Sequence, residues 1–531
     1  MTEMTVRRLA PPILWLLPLA FAGLLGLMLS VSLPLWQVFN LDPDYYYLLN
    51  GLRIVEGLPP TDLSHPGTPA QVLIAAVLRL MHPATPIGAL VEQVLRDPER
   101  HLLAATLAFY PPVALALAGL GAAVLAATNS RTAALLAQSS PFLSMLIPKF
   151  GLHPKPEPLV IAAAALLAAA GFAAARADRP GDRLAGLFGL IMGFGIACKL
   201  QFLALGLLPL FLLDRRRLLV VYPLATVVSF FVFVSPALPS WELFVDLWGR
   251  VLTHSGAYGT GEAGAVQAGK LPRAVFKMLS SKLLFSLAIL AALYLLAVYF
   301  RLRRRGLLPR NRMARLAAGL VLAQVATVVM VAKQPAAHYL IPALMLTGPT
   351  LAAAWSLSAP LLSPAAHRRL WLAVPLLLAA ATVPAAWRQT AELARWTREA
   401  QAVDMGRFAS CAKVWFDSAS SFSYALQRGD MNAQGRYSPR LSAWMPDDEY
   451  TWFTNDHVWW NRSLMQWNRP VTLAAILERH GCAVFRGSQP WTMLPEAGRL
   501  LPGLSFDDRC RTGEEDIFTK AIRCDGSKPT P

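Results

Sequence analysis

The sequence predicts a mainly α membrane protein. About eleven transmembrane helices form a polytopic bundle with interfacial helices in its first outer loop, and a soluble mixed α/β domain follows at the C-terminus. Three observations carry this. First, only 15% of the 531 residues are charged and 55% are hydrophobic, whereas soluble proteins carry about 25% charged residues. Second, apolar runs recur at close to the roughly 20 residues that cross a bilayer. Third, the charge is divided. Residues 1–387 hold 31 Lys+Arg against 15 Asp+Glu, and residues 388–531 hold 18 against 17. The basic excess thus belongs to the apolar part, where Lys/Arg bias sets orientation. An ordinary soluble enzyme, a disordered scaffold and a disulfide miniprotein are excluded. The net charge of +17 is not a nucleic-acid footprint, which needs a basic face on a soluble domain.

The first run, 11–34, is too long for a signal-peptide core and lacks a small-x-small cleavage site. It reads as a retained first helix. Further spans are expected near 101–128, 131–147, 157–176, 184–198, 200–213, 217–235, 279–300, 315–333, 338–358 and 370–387. The 184–198 and 200–213 pair is short and reads as two half-helices meeting near Lys199. With the N-terminus inside, the cytoplasmic loops collect 18 arginines against Glu3, Asp178, Asp182 and Asp214. The other side holds 13 basic and 11 acidic residues. This agrees with the positive-inside rule and places the C-terminal domain outside. The expected location is a bacterial inner (plasma) membrane, with that domain in the periplasm.

Two domains are therefore expected, 1–387 in the membrane and 388–531 outside it. Cys411, Cys482, Cys510 and Cys524 all lie in the second. An even set in an extracytoplasmic domain points to two disulfides. Three pairings are open; Cys510–Cys524 with Cys411–Cys482 is favoured. No CxxC pair supports zinc. Cys198 reads as a small packed apolar residue. The Trp-rich stretch 447–460 could hold sugar on aromatic faces or build a small core.

Outer-side polar residues gather in a few places. The first outer loop, about 35–100, contains Asp42 and Asp44, an amphipathic helix over 45–56, and a turn at 65–69 opening a second helix over 68–82. Both helices read as interfacial. A carboxylate here could be a base, a metal ligand or a helix cap. Asp44, directly before the helix, fits a cap, and Asp42 reads as functional. Tyr45, Tyr46 and Tyr47 fit an interfacial belt or sugar contacts. The next outer loop places Lys149, His153, Lys155 and Glu157 among three prolines, which stop either flanking helix from running through. Its lysines could be ligands or snorkelling anchors. Lys199 lies in the middle of an apolar stretch, where a lysine costs roughly 2.5–3.5 kcal/mol and needs a partner or a task. Anion binding would be that task. The loop 236–278 carries His254 and Tyr258 in glycine-rich sequence and predicts a mobile connection. It lacks the GK[ST] of a phosphate loop. His338 and Tyr339 complete the set. Cations, carboxylates and apolar walls together suit a lipid phosphate.

These residues resemble the GT-C superfamily of polyprenyl-phosphate-sugar-dependent glycosyltransferases. The likeness is closest to the protein O-mannosyltransferase and lipid A aminoarabinose transferase group. Asp42, Tyr46 four residues later and Gly57 fifteen residues later are similar to that group's first-loop pattern. Pro43 replaces the acidic neighbour, and a carboxylate reappears at Asp44. His65-Pro66-Gly67-Thr68-Pro69 looks like the group's Lys-Pro-Pro segment, with His for Lys. Gly193-x-Gly195 ending in Lys199 is similar to its Gly-rich segment, and His338-Tyr339-Leu340-Ile341-Pro342 to its Arg-Tyr-Leu-x-Pro element. The likeness spans roughly 11–390.

The resemblance implies inverting transfer of a sugar, hexosyl or pentosyl, from a polyprenyl phosphate to a lipid, glycan or protein acceptor on the outer face. Asp42 or Asp44 would accept the acceptor's proton. Lys199, His65, Lys155, Lys149 and His338 would bind the leaving phosphate. Tyr46, His153, Glu157, Tyr339, His254 and Tyr258 would line the substrate site. No cofactor is expected, although Asp42 with Asp44 could hold a divalent metal. Membrane lipids are expected partners and nucleic acid is not. The rival readings are a lipid-linked sugar transporter or flippase and a non-catalytic envelope assembly protein.

Overall fold

The computed structural model describes residues 11–37, 43–177, 179–255, 257–259, 261–264, 269–452, 463–488, 490–501, 504–512 and 514–527. Among them, eight helical stretches are long and apolar enough to cross a membrane: Pro12–Val31, Pro98–Thr128, Pro156–Arg176, Arg216–Thr253, Leu283–Arg304, Arg312–Val331, Ala337–Leu361 and Pro364–Gln401. Three of the eleven expected spans, 131–147, 184–198 and 200–213, fall outside this set for local reasons. The 131–147 run breaks into Arg131–Gln138, a 3-10 turn at Ser140–Phe142 and Leu146–Gly151. Pro141 has no N–H to continue the first piece. The 200–213 run is a 3-10 stretch, Leu200–Gly206, and one α turn, Leu207–Leu210.

Asp182–Cys198 ends at extended Lys199, and the chain folds back there. Glycines make this geometry. A Cβ at Gly189 would overlap Ala225, and one at Gly193 would overlap Ser229. The pair lets this helix press against Arg216–Val234, as small residues do between membrane helices. A Cβ at Gly195 would overlap the Phe202 ring, so Gly195 admits the returning chain. At the start of the same helix, Asp182 pairs with Arg217 at 2.5 Å. Asp214 pairs with Arg312 at 2.9 Å and with Arg315. These pairs and Lys199 sit at opposite ends of a 17-residue helix, about 25 Å apart at 1.5 Å per residue.

The 35–100 loop holds three helices, Tyr45–Val55, Thr68–Met81 and Ile87–Arg96. Tyr45–Val55 is buried on nearly every side, and Tyr45, Tyr46 and Tyr47 pack inside the protein and not in a lipid-facing aromatic belt. Thr68–Met81 covers one flank, and the C-terminal domain covers another through helix Phe422–Asn432. Tyr45 gives its hydroxyl to Glu99 at 2.7 Å and sets its ring against Phe422. Gly429 permits the approach, since a Cβ there would lie 2.8 Å from Tyr45 Cβ. The loop 236–278 is also more structured than predicted, with helices Trp241–Thr253 and Leu271–Ser280.

Helix Pro364–Gln401 runs past residue 387 and leads into a seven-stranded mixed sheet. Its strands are β1 Ala412–Phe416, β2 Glu449–Trp452, β3 Leu464–Gln466, β4 Arg469–Val471, β5 Ala483–Gly487, β6 Asp508–Thr512 and β7 Glu515–Lys520. The order is β4-β3-β2-β1-β5-β7-β6. β1 runs parallel to β2 and β5, and the outer pairs are antiparallel. Disulfides join Cys411 to Cys482, at the entries of neighbouring β1 and β5, and Cys510 to Cys524. Trp415, Trp452 and Trp467 are buried, which is core packing. Trp459, Trp460 and Asn461 lie outside the described residues.

Candidate functional site

Five separated segments meet at the end of the bundle nearer the C-terminal domain, and their polar side chains form one buried cluster. Asp44 comes from the first loop. It sits where an N-cap would, yet its side chain makes no capping bond, which corrects the cap reading. Instead Oδ2 accepts from His153 Nδ1 at 2.8 Å, and Oδ1 lies 3.6 Å from Lys155 Nζ, an ion-pair distance. Burial alone would raise the Asp44 carboxyl; the charges and hydrogen bonds of His153 and Lys155 outweigh it and hold the group below the usual carboxylate range.

The second loop supplies His153, Lys155 and Glu157 because its prolines end one helix and open the next. Lys155 is the extended residue before Pro156–Arg176. Glu157 stands in that helix's first turn, where the backbone dipole favours a carboxylate. Its Oε1 accepts from Lys199 Nζ at 2.5 Å, with both side chains almost fully buried. The partner that Lys199 requires in an apolar setting is therefore Glu157. Glu157 Oε2 is buried with no hydrogen bond. Lys199 Nζ also lies 5.1 Å from the Tyr339 ring centroid, within cation–π range.

His65 reaches the cluster through backbone pairing. Leu200 N donates to His65 O at 3.0 Å and Gly67 N to Ala197 O at 3.1 Å. Gly67 has φ 74°, and a Cβ there would touch the Tyr47 ring and Pro156, so it turns the loop against both neighbours. Burial pushes the His65 imidazole well below its usual range, and the Lys199 charge adds to this. His65 therefore favours its neutral imidazole. Its Nδ1 is buried without a hydrogen bond. Its ring meets Tyr339 edge to face at 6.1 Å. Tyr339 Oη lies 3.0 Å from Tyr258 Oη, which ties the 236–278 loop to the cluster. His338 stacks on Phe150 at 4.8 Å.

Several sequence-derived candidates lie elsewhere. Lys149 Nζ lies 5.3 Å from the Trp396 ring centroid. Tyr46 receives a 2.5 Å hydrogen bond from Arg428 Nη2 of the C-terminal domain. His254 Nδ1 meets Thr253 Oγ1 at 2.9 Å. Asp42 lies outside the described residues. Glu99 and Phe150 were missed by sequence reasoning. Glu99 holds both Tyr45 and the Leu35 N–H, and only its place at a span's start marked it out. Among the described residues, no three His, Cys, Asp or Glu side chains group as metal ligands. Asp44 is engaged by His153 and Lys155.

The cluster is charge-matched at rest, with Lys155 against Asp44 and Lys199 against Glu157. A lysine carries three N–H donors, so each can serve a phosphate oxygen as well as its carboxylate. No known family profile matches the chain, and no curated protein matches it. Among solved structures, the chain is similar to the crystal structure of ArnT from Cupriavidus metallidurans bound to undecaprenyl phosphate, at 13% identity and a TM-score of 0.41 over 96% of this chain and 99% of that one.

Proposed function

We propose that the chain is an integral membrane glycosyltransferase that moves one sugar from a polyprenyl phosphate to an acceptor hydroxyl on the outer face. The observation that carries this reading is the buried convergence of Asp44, His153, Lys155, Glu157, Lys199, His65 and Tyr339 from separate segments. A bundle needs no such cluster for stability, because buried ion pairs are weak stabilisers. In the proposed reaction the acceptor oxygen attacks the anomeric carbon from the face opposite the phosphate. The anomeric carbon–oxygen bond breaks, and its electron pair leaves on the polyprenyl phosphate. The acceptor proton passes to a carboxylate. Asp44 is a poor acceptor because His153 and Lys155 hold it ionised, so the proton is assigned to Asp42 and Asp44 anchors His153 and Lys155. Lys199 and Lys155 stabilise the departing phosphate, with His65 as a neutral donor beside them.

The test compares cells lacking the protein with cells carrying wild type, Asp42→Asn or Asp44→Asn, at matched membrane levels. Envelope glycolipids and glycans are measured by mass spectrometry. One sugar mass should vanish without the protein and stay absent with Asp42→Asn. Full restoration by both variants would sink the transferase reading in favour of transport or assembly.

A further inference from the structure

The helix Leu283–Arg304 ends in a run of arginines, and one of its faces carries a shallow, open concavity. Ala297, Phe300, Arg301, Arg304 and Arg305 line a space of about 530 Å³. Ala297, Arg301, Arg304 and Arg305 follow helical spacing and so share one face. Arg303 falls on another. The small Ala297 leaves room beneath three guanidinium groups. The described acids at this end are already engaged, Asp182 by Arg217 and Asp214 by Arg312 and Arg315. Among the described residues, no carboxylate pairs with the three arginines of the concavity. Three like charges around one space repel, and a phosphate relieves this through the bidentate geometry that arginine favours. The same face continues along the helix as exposed Leu290, Leu293, Tyr294 and Phe300, an apolar stripe on which acyl chains can lie.

We propose that this concavity binds the phosphodiester headgroup of an anionic phospholipid, with the acyl chains along that stripe. The arginines would otherwise act only as diffuse topology signals. A soluble acidic partner would have no use for the apolar stripe, which is why a lipid is favoured. The site is independent of the glycosyltransferase reading.

The test uses the full-length protein in detergent and native mass spectrometry, with phosphatidylglycerol or phosphatidylethanolamine as probe. R301Q/R304Q/R305Q is compared with R303Q/R310Q/R368Q, which removes equal charge off the concavity. Phosphatidylglycerol retention should fall on the order of tenfold or more in the first triple, which loses the bidentate arginine–phosphate contacts. It should hold within about twofold in the second, whose arginines lie off the site. Phosphatidylglycerol should also raise the melting midpoint of wild type and the second triple but not the first. Equal losses in both triples, or equal retention of phosphatidylethanolamine, would overturn the proposal. Should the first triple misfold, Arg304→Gln alone must still lower retention, and an unchanged value overturns it.

Discussion

Lys199 and Glu157 form a buried pair, with side-chain exposures of 1% and 5%, and each leaves the other uncompensated if removed. Lys199→Met should therefore destabilise by about 3–5 kcal/mol. Lys199→Met with Glu157→Gln should recover most of that, read as melting midpoints in detergent. A double variant as unstable as the sum of the singles would show that the two do not couple. Asp44 gives a pH prediction. Its folded carboxyl is held below the ordinary range, so its stabilisation is present above the unfolded value of about 3.9. It is lost as pH falls through the lower folded value. Wild type should lose stability in acid more steeply than Asp44→Asn, which should be flatter below about pH 4. Parallel curves would contradict the ion pair. Much of the cluster was legible, because an unpaired lysine in an apolar stretch and a Lys/His/Glu group among prolines are costly without a purpose. The pairing was not, since Glu157 and Lys199 are 42 residues apart and only helix packing brings them together.

At the level of elements, the fold-back at Lys199 depends on glycine for space. Gly195→Val should force Phe202 away and cost about 1–3 kcal/mol by overpacking. Gly88→Val, with open space around its Cβ position, is the control. A melting midpoint for Gly195→Val equal to the control's would show that the turn does not rely on that contact. Hydropathy marked 184–213 as two short pieces and so anticipated the break. It also joined 131–147 into one span, because a window average passes over Pro141 and three serines. The first-loop helices were visible as amphipathic stretches, but what covers them was not. Burial of the Tyr45 face comes from a domain nearly 400 residues along the chain, out of reach of any local pattern.

For the whole molecule, the C-terminal domain clamps the helix that follows Asp44. Asn50 binds Asn432 at 2.9 Å, Arg436 binds Glu56 at 2.9 Å, and Thr61 binds the Asn432 carbonyl at 2.8 Å. The disulfides hold that domain together. Cys411–Cys482 spans 71 residues and Cys510–Cys524 spans 14. By loop entropy, losing the first should cost about 1.4 kcal/mol more than losing the second. Melting of Cys411→Ser/Cys482→Ser against Cys510→Ser/Cys524→Ser checks this, and the reverse order would refute it. The two-part plan was readable from composition and charge, while the sheet order was not, because parallel neighbours β1 and β5 are far apart in sequence. The central claim is that the buried cluster receives a lipid phosphate. Its most direct test is native mass spectrometry of the purified protein with a polyprenyl phosphate, comparing wild type with Lys199→Met/Glu157→Gln, which removes the charge and keeps the balance. The account predicts retention by wild type and its loss in the double variant while the fold persists. Equal retention by both would contradict it.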